Sequence, residues 1–246
     1  MRTPDWQSDD GAIQLHCCDC MELLPTIEAG AVDAIVTDPP YGIAHGCNFK
    51  GRGRSKLAMC NDYLNVHGDD KPFDPSHVLS LGVPTILWGA NFFADKLPPS
   101  GGWLVWDKLR PDSLDQATCE LAWTNFVKGV RRLSHLWNGM MRASEHGENY
   151  HPTQKPVAVF EWIYKLPWTP SGAMLDPYMG AAPNAVACIR TGRRFIGCEI
   201  SREYFDIAVK RIKRELAQPR LFTAPVETHT QAEMFGHRLE VASAKG

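Results

Sequence analysis

Short apolar runs alternate with helix-period segments along most of the chain. Residues 13–17, 32–36, 84–88, 103–106, 120–124, 132–137, 173–175 and 194–198 are rich in branched or aromatic side chains. Each of these eight runs reads as a strand, and their tryptophans and branched residues argue for burial on both faces. Residues 120–124 and 132–137 read as an antiparallel edge hairpin. Residues 20–27, 156–166, 183–190 and 202–216 read as helices, with Asp19, Thr153 and Ser201 as caps and Pro156 and Pro183 tolerated at first turns. Strand–helix–strand order predicts an α/β domain over residues 11–220. Residues 1–10 and 221–246 are polar and read as loose ends. Residues 43–80 show no hydrophobic period, and a loop that long is functional or disordered.

The stretch that organises the pattern is Thr37-Asp38-Pro39-Pro40-Tyr41-Gly42, directly after the run 32–36. Two prolines stiffen the turn, and Asp38 is held extended because it precedes one of them. Gly42 lets the chain leave without a side chain in the way. One carboxylate, free carbonyls and an aromatic face then stand at the carboxyl end of a strand, where open α/β sheets put ligands. A planar base with an exocyclic amine suits this corner. It can donate to Asp38 and to the Pro39 carbonyl while Tyr41 stacks on it, a contact worth about 1–3 kcal/mol. A plain proline-rich turn after a core strand is the competing reading.

Composition narrows the setting. The net charge of -2 over 246 residues excludes a bulk polyanion binder, so any nucleic-acid surface is local. The sequence shows no signal peptide and no long apolar run, which predicts a cytoplasmic protein that does not meet a membrane. Cys17 and Cys20 form one C-x-x-C, but no second pair stands nearby to complete a zinc site. The eight cysteines therefore read as free thiols of a reducing compartment, with no metal. Lys50, Arg52, Arg54 and Lys56, spaced by glycine, suit phosphate contact, although a solvated loop would look the same. Arg131, Arg132 and Arg142 in segment 125–150 suggest a second basic surface.

Three motifs carry a family resemblance. Asp38-Pro39-Pro40-Tyr41, His151-Pro152-Thr153-Gln154-Lys155-Pro156 and Asp176-Pro177-Tyr178-Met179-Gly180 occur in that order. The set resembles the beta class of S-adenosylmethionine-dependent DNA amino-methyltransferases, which act on N6 of adenine or N4 of cytosine. The resemblance covers residues 13–216 and implies a seven-stranded, Rossmann-like, mostly parallel sheet with helices on both faces. It implies Asp38, Pro39, Pro40 and Tyr41 as the catalytic corner, acting on a base flipped out of double-stranded DNA.

On the cofactor side it implies Asp19 at the adenine amine, Glu199 at the ribose, Asp176 at the methionine ammonium and Lys155 at the carboxylate. Tyr178 and Gly180 belong to the turn beneath, and Phe195 and Ile200 are candidates to sandwich the adenine. Asp rather than Ser before Pro-Pro-Tyr favours adenine. An N4-cytosine enzyme, an RNA methyltransferase and a catalytically impaired DNA-binding relative are the alternatives, and a homodimer is compatible with each. The chain departs from the family at Ala182-Pro183-Asn184, where Gly-Thr-Thr is usual. That exchange loses a backbone donor and two hydroxyls, which predicts a weaker cofactor site, while the turn still forms because proline suits the first helical position and alanine is harmless if its φ is negative.

Overall fold

The computed structural model describes residues 1–42, 68–113, 116–138, 141–145, 150 and 154–218. Lys50, Arg52, Arg54, Lys56, His151, Pro152, Thr153 and the tail from 219 lie outside the described residues.

The predicted runs form strands, and the strands form one sheet. In chain order they are β1 (Trp6–Gln7), β2 (Ile13–Cys17), β3 (Ala34–Thr37), β4 (Thr85–Trp88), β5 (Gly102–Asp107), β6 (Cys119–Thr124), β7 (Val130–Ser134), β8 (Trp137–Asn138), β9 (Met141–Arg142), β10 (Ala173–Asp176) and β11 (Arg194–Glu199). Nine of them join in the order β1-β2-β11-β10-β3-β4-β6-β5-β7, while β8 and β9 pair separately. From β2 to β4 every pairing is parallel. This is the expected mostly parallel α/β sheet, two strands wider than the expected seven.

The helices are α1 (Cys20–Leu23), α2 (Ser76–Leu79), α3 (Val157–Tyr164), α4 (Pro183–Arg190) and α5 (Arg202–Leu216). They cover both faces. Ala34, Val36, Ile86, Trp88 and Met174 pack on the side of α3, α4 and α5. Their neighbours Ile35, Leu87, Leu175 and Ile196 pack on the other side with Leu23, Phe73 and Val78. This two-residue alternation buries each central strand twice.

Several expectations need correction. Residues 120–124 and 132–137 do not form a hairpin. β5 lies between β6 and β7, antiparallel to the first and parallel to the second. β7 is mostly exposed, so its branched residues did not signal burial. The N-terminus is not loose: β1 pairs with β2, and the Asp5 carboxylate accepts the Cys17 N–H at 2.9 Å. Within 43–80, Phe73 and Val78 are core residues, because a single helical turn is too short to show a period. Pro25 converts the predicted helix 20–27 into α1 followed by a 3-10 turn over Leu24–Thr26. Phe195 is fully buried near the start of β11, away from the carboxyl ends of the strands, and its ring is core.

Candidate active site

The carboxyl edge of the sheet carries one acid on each of four adjacent strands. Asp19 follows β2, Glu199 ends β11, Asp176 ends β10 and Asp38 follows β3. Those strands are neighbours in that order. At about 4.8 Å per strand the row spans roughly 14 Å.

Asp19 is exposed and caps α1, accepting the Met21 N–H at 2.9 Å. Glu199 is half-buried. One oxygen accepts the Gly180 N–H at 3.1 Å and the other the Ser201 N–H at 2.8 Å. Burial raises its pKa against those donors. Ile200 beside it is exposed.

Asp176 is buried. It accepts the Thr37 hydroxyl at 2.6 Å, the Tyr178 N–H at 3.1 Å and the Asn184 side-chain amide at 3.1 Å. Burial nevertheless pushes its carboxyl up to about 6. Three bonds leave one of about four lone-pair sites open.

The turn after β10 is built by the residues that depart from the family pattern. Ala182 has φ +54, the left-handed region, so the condition under which alanine is harmless here is not met. That conformation costs a residue with a Cβ about 1–2 kcal/mol. Pro183 then opens α4 at its first position, where no N–H is required. Asn184 is fully buried. Its amide donates to Asp176 and, at 2.7 Å, to the Val36 carbonyl, and its oxygen accepts the Tyr164 hydroxyl. Tyr178 places its hydroxyl against His77 Nε2 at 2.7 Å and Cys20 Sγ at 3.3 Å. It thereby ties the turn to α2 and α1.

The Asp38 corner holds an ion network that sequence reasoning did not reveal. Lys155 Nζ lies 2.5 Å from Asp38 Oδ1, 2.8 Å from Glu120 Oε2 and 2.9 Å from the Tyr41 hydroxyl. Tyr41 donates that hydroxyl to Asp38 Oδ1. Glu120, on β6, also pairs with Lys108, just past β5. Lys155 was expected at a cofactor carboxylate, but its ammonium already has two protein carboxylates. The first free N–H of α3 is engaged as well, since Glu145 accepts from Val157 N at 2.8 Å.

Burial raises the Asp38 pKa, Lys155 opposes the rise and the Glu120 charge adds to it. Burial would also raise Glu120, but Lys155 and Lys108 together hold it down to about 2. Lys155 stays charged because the two carboxylates outweigh its burial.

Asp38 Oδ2 and the Pro39 carbonyl accept no hydrogen bond among the described residues. Tyr41 is half-buried and stacks on Phe92, with ring centroids 5.0 Å apart and planes 18° apart, and Phe92 is itself exposed. Gly89 is obligatory beneath the tyrosine, because a Cβ there would meet the Tyr41 ring at 1.9 Å and φ is +69. Gly42 is fixed similarly, at φ +74 with the Lys71 carbonyl 2.2 Å from any Cβ.

The basic residues sit elsewhere. Arg131 and Arg132 are exposed on β7, where Arg131 lies over Trp168 at 4.9 Å. Arg142 lies over Trp137 at 4.1 Å. Among the described residues no cluster of His, Cys, Asp and Glu could hold a metal ion. No helix among them is long and apolar enough to cross a membrane.

A family model described as DNA methylase, N6_N4_Mtase, matches residues 104–210. The Type II methyltransferase M2.LlaDCHI of Lactococcus lactis subsp. cremoris is 34% identical over 87% of this chain and 94% of its own length. The Type II methyltransferase M.HpaI of Haemophilus parainfluenzae is 23% identical over 82% of this chain and 74% of its own. Among solved structures, the PvuII DNA methyltransferase (cytosine-N4-specific) has a TM-score of 0.56 at 12% identity, covering 90% of this chain and 91% of that one, a likeness of fold. With four strand-end acids, an Asp-Pro-Pro-Tyr corner and a relative this similar along nearly its whole length, the chain belongs to the S-adenosylmethionine-dependent DNA amino-methyltransferases of the N6-adenine/N4-cytosine family.

Proposed function

We propose that this protein methylates N6 of adenine in double-stranded DNA, as the modification enzyme of a type II system. The observation that carries the reading is the pair of acceptors at the Asp38 corner that no described residue occupies. Asp38 Oδ2 and the Pro39 carbonyl are the two partners that an exocyclic NH2 needs, and they stand beside the Tyr41 ring. An aromatic amine is a poor nucleophile because its lone pair is delocalised. Two acceptors draw its hydrogens out of plane and localise that pair. Holding the amine in line contributes about 7–11 kcal/mol to such a step. The amine lies inside the duplex, so the base must be flipped out to reach Asp38. Asp rather than Ser before Pro-Pro-Tyr favours adenine over cytosine.

The row of acids suits the cofactor. Asp19, Glu199 and Asp176 follow one another along the edge in the order of an adenine amine, ribose hydroxyls and an ammonium, and Asp38 comes next. Bound S-adenosylmethionine supplies the methyl group on an electrophilic sulfonium. Gly180 and Tyr178 shape the turn beneath it. Lys155 is better read as the partner of Asp38 than of the cofactor carboxylate. Segments 43–80 and 125–150 are assigned to DNA, with Lys50, Arg52, Arg54, Lys56, Arg131, Arg132 and Arg142 on phosphates.

The test is incubation with methyl-labelled cofactor and DNA of mixed sequence, followed by nucleoside analysis. Label in N6-methyldeoxyadenosine is expected. Asp38→Ala should abolish it while cofactor affinity stays within about threefold, because Asp38 faces the base. Label in N4-methyldeoxycytidine, or near-native turnover by Asp38→Ala, overturns the reading.

A further inference from the structure

A carboxylate near the start of an interior strand, with three-quarters of its side chain out of solvent, needs an explanation. Glu120 sits on β6 between two others, and an apolar residue of its volume would often leave such a site as stable or more so. It contacts neither Asp38 Oδ2 nor the Pro39 carbonyl. It does share one ammonium with the catalytic aspartate, at 2.8 Å against 2.5 Å. Lys155 is nearly fully buried and lies over the Trp88 ring at 5.3 Å and the Tyr41 ring at 5.6 Å, so it can lean toward either carboxylate without entering solvent.

We propose that Glu120 is a positioning residue that takes up the Lys155 ammonium when the target amine occupies Asp38, leaving Asp38 free to receive the proton the amine sheds. This rests on the methyltransferase reading above. Methyl transfer to an NH2 leaves the nitrogen with one proton too many. That N–H bond breaks, its electron pair stays on nitrogen, and the proton bonds to Asp38 Oδ2. An aspartate tightly paired with an ammonium is a poor acceptor. Glu120 offers Lys155 an alternative anion, and Lys108 keeps that anion ionised.

The two carboxylates are accordingly driven in opposite directions, Glu120 down and Asp38 up, which is the arrangement expected of a holder and an acceptor. The charged or titratable groups facing the pair are Lys155 from the loop before α3, Lys108 and Arg110 after β5, Tyr41 and Asp69 from the loops after β3, and Asp176 from β10.

Glu120→Gln separates this role from a structural one. Removing the negative charge leaves Lys155 entirely to Asp38, so Asp38 becomes more acidic. Single-turnover methylation at saturating cofactor should fall about tenfold or more at pH 8. Its acid limb should move to lower pH by about one unit, against the intuition that a damaged site needs more alkaline conditions. KM for DNA and cofactor affinity should hold within about threefold, and Glu120→Asp should recover most of the rate.

An independent readout is the Asp38 titration followed by carbon NMR of carboxyl-labelled aspartate, assigned by loss of the signal in Asp38→Asn. Its midpoint should fall in Glu120→Gln whether or not the protein methylates DNA. An unmoved midpoint overturns the proposal, as does a slower enzyme with an unshifted acid limb. A wild-type protein that labels no DNA while this midpoint still falls refutes the methyltransferase reading and leaves the coupling of Glu120 to Asp38 standing.

Discussion

Replacing Asn184 by alanine tests the altered cofactor turn most directly. The side chain is fully buried and makes three short bonds, to the Val36 carbonyl, the Asp176 carboxylate and the Tyr164 hydroxyl, beside a long contact from Cys188 Sγ at 3.9 Å. Leaving a buried neutral group without its partner costs about 1–3 kcal/mol, and losing a bond to a charged group about 1.5–3. Tyr164 retains Cys188 at 3.3 Å, which softens one of the three losses. A total of about 3–5 kcal/mol is expected at pH 8, where Asp176 is ionised.

The pH dependence follows from Asp176. Its folded pKa, about 6, lies above the 3.8 of an ordinary aspartate. The native state therefore holds this proton more tightly than the unfolded chain. Stability from this group is highest below pH 4, declines as pH rises to about 6, and is flat above. A rise of about two units corresponds to roughly 3 kcal/mol. Asn184 stabilises the ionised form, so its loss raises that pKa further. The deficit of the variant must then be larger at pH 8 than at pH 5, by about 1.5–3 kcal/mol. Urea unfolding of both proteins at the two pH values measures it, and calorimetry with S-adenosylmethionine adds a second readout. The variant should bind cofactor more weakly at pH 7, since an ammonium needs the ionised carboxylate. A deficit below about 1 kcal/mol at both pH values, or one larger at pH 5, refutes the reasoning.

Two further outcomes are expected. Tyr41→Phe keeps the ring but removes the hydroxyl that Asp38 and Lys155 share; methylation should fall about tenfold with cofactor affinity unchanged, while Tyr41→Ala, which also loses stacking worth about 1–3 kcal/mol, should fall further. Equal losses in the two variants would show that the hydroxyl alone matters. Replacing two of Lys50, Arg52, Arg54 and Lys56 should flatten the slope of log affinity against log salt by about two, with sequence preference unchanged. An unaltered slope would remove that segment from the DNA contact.

What was legible in the sequence was local. β3, β4, β10 and β11 are short branched runs whose burial on both faces leaves no alternation to misread, and the acids behind them sit where a strand must end. Their lateral order could not be read. Nothing in the residues of β5 says that it lies between β6 and β7, because either pairing satisfies the same apolar pattern. The same blindness hid the ion network. Lys155, Glu120, Lys108 and Asp38 come from four separate stretches, and a lone Glu in the run 120–124 looks like the polar half of an edge strand. β6 carries it beside Asp38 only because β6 pairs with β4, the neighbour of the β3 strand that Asp38 follows. Ala182 shows the converse. Its substitution for glycine was visible, but its consequence depends on φ, and the turn keeps +54 despite the Cβ. A turn that retains an unfavourable conformation is held by something else, and the buried bonds of Asn184, two residues on, are strong enough to hold it. The three departures from the family pattern are therefore one solution: Asn184 supplies the anchoring that lets Ala182 stand where glycine is usual, and Pro183 between them gives up only an N–H that the first position of α4 does not need.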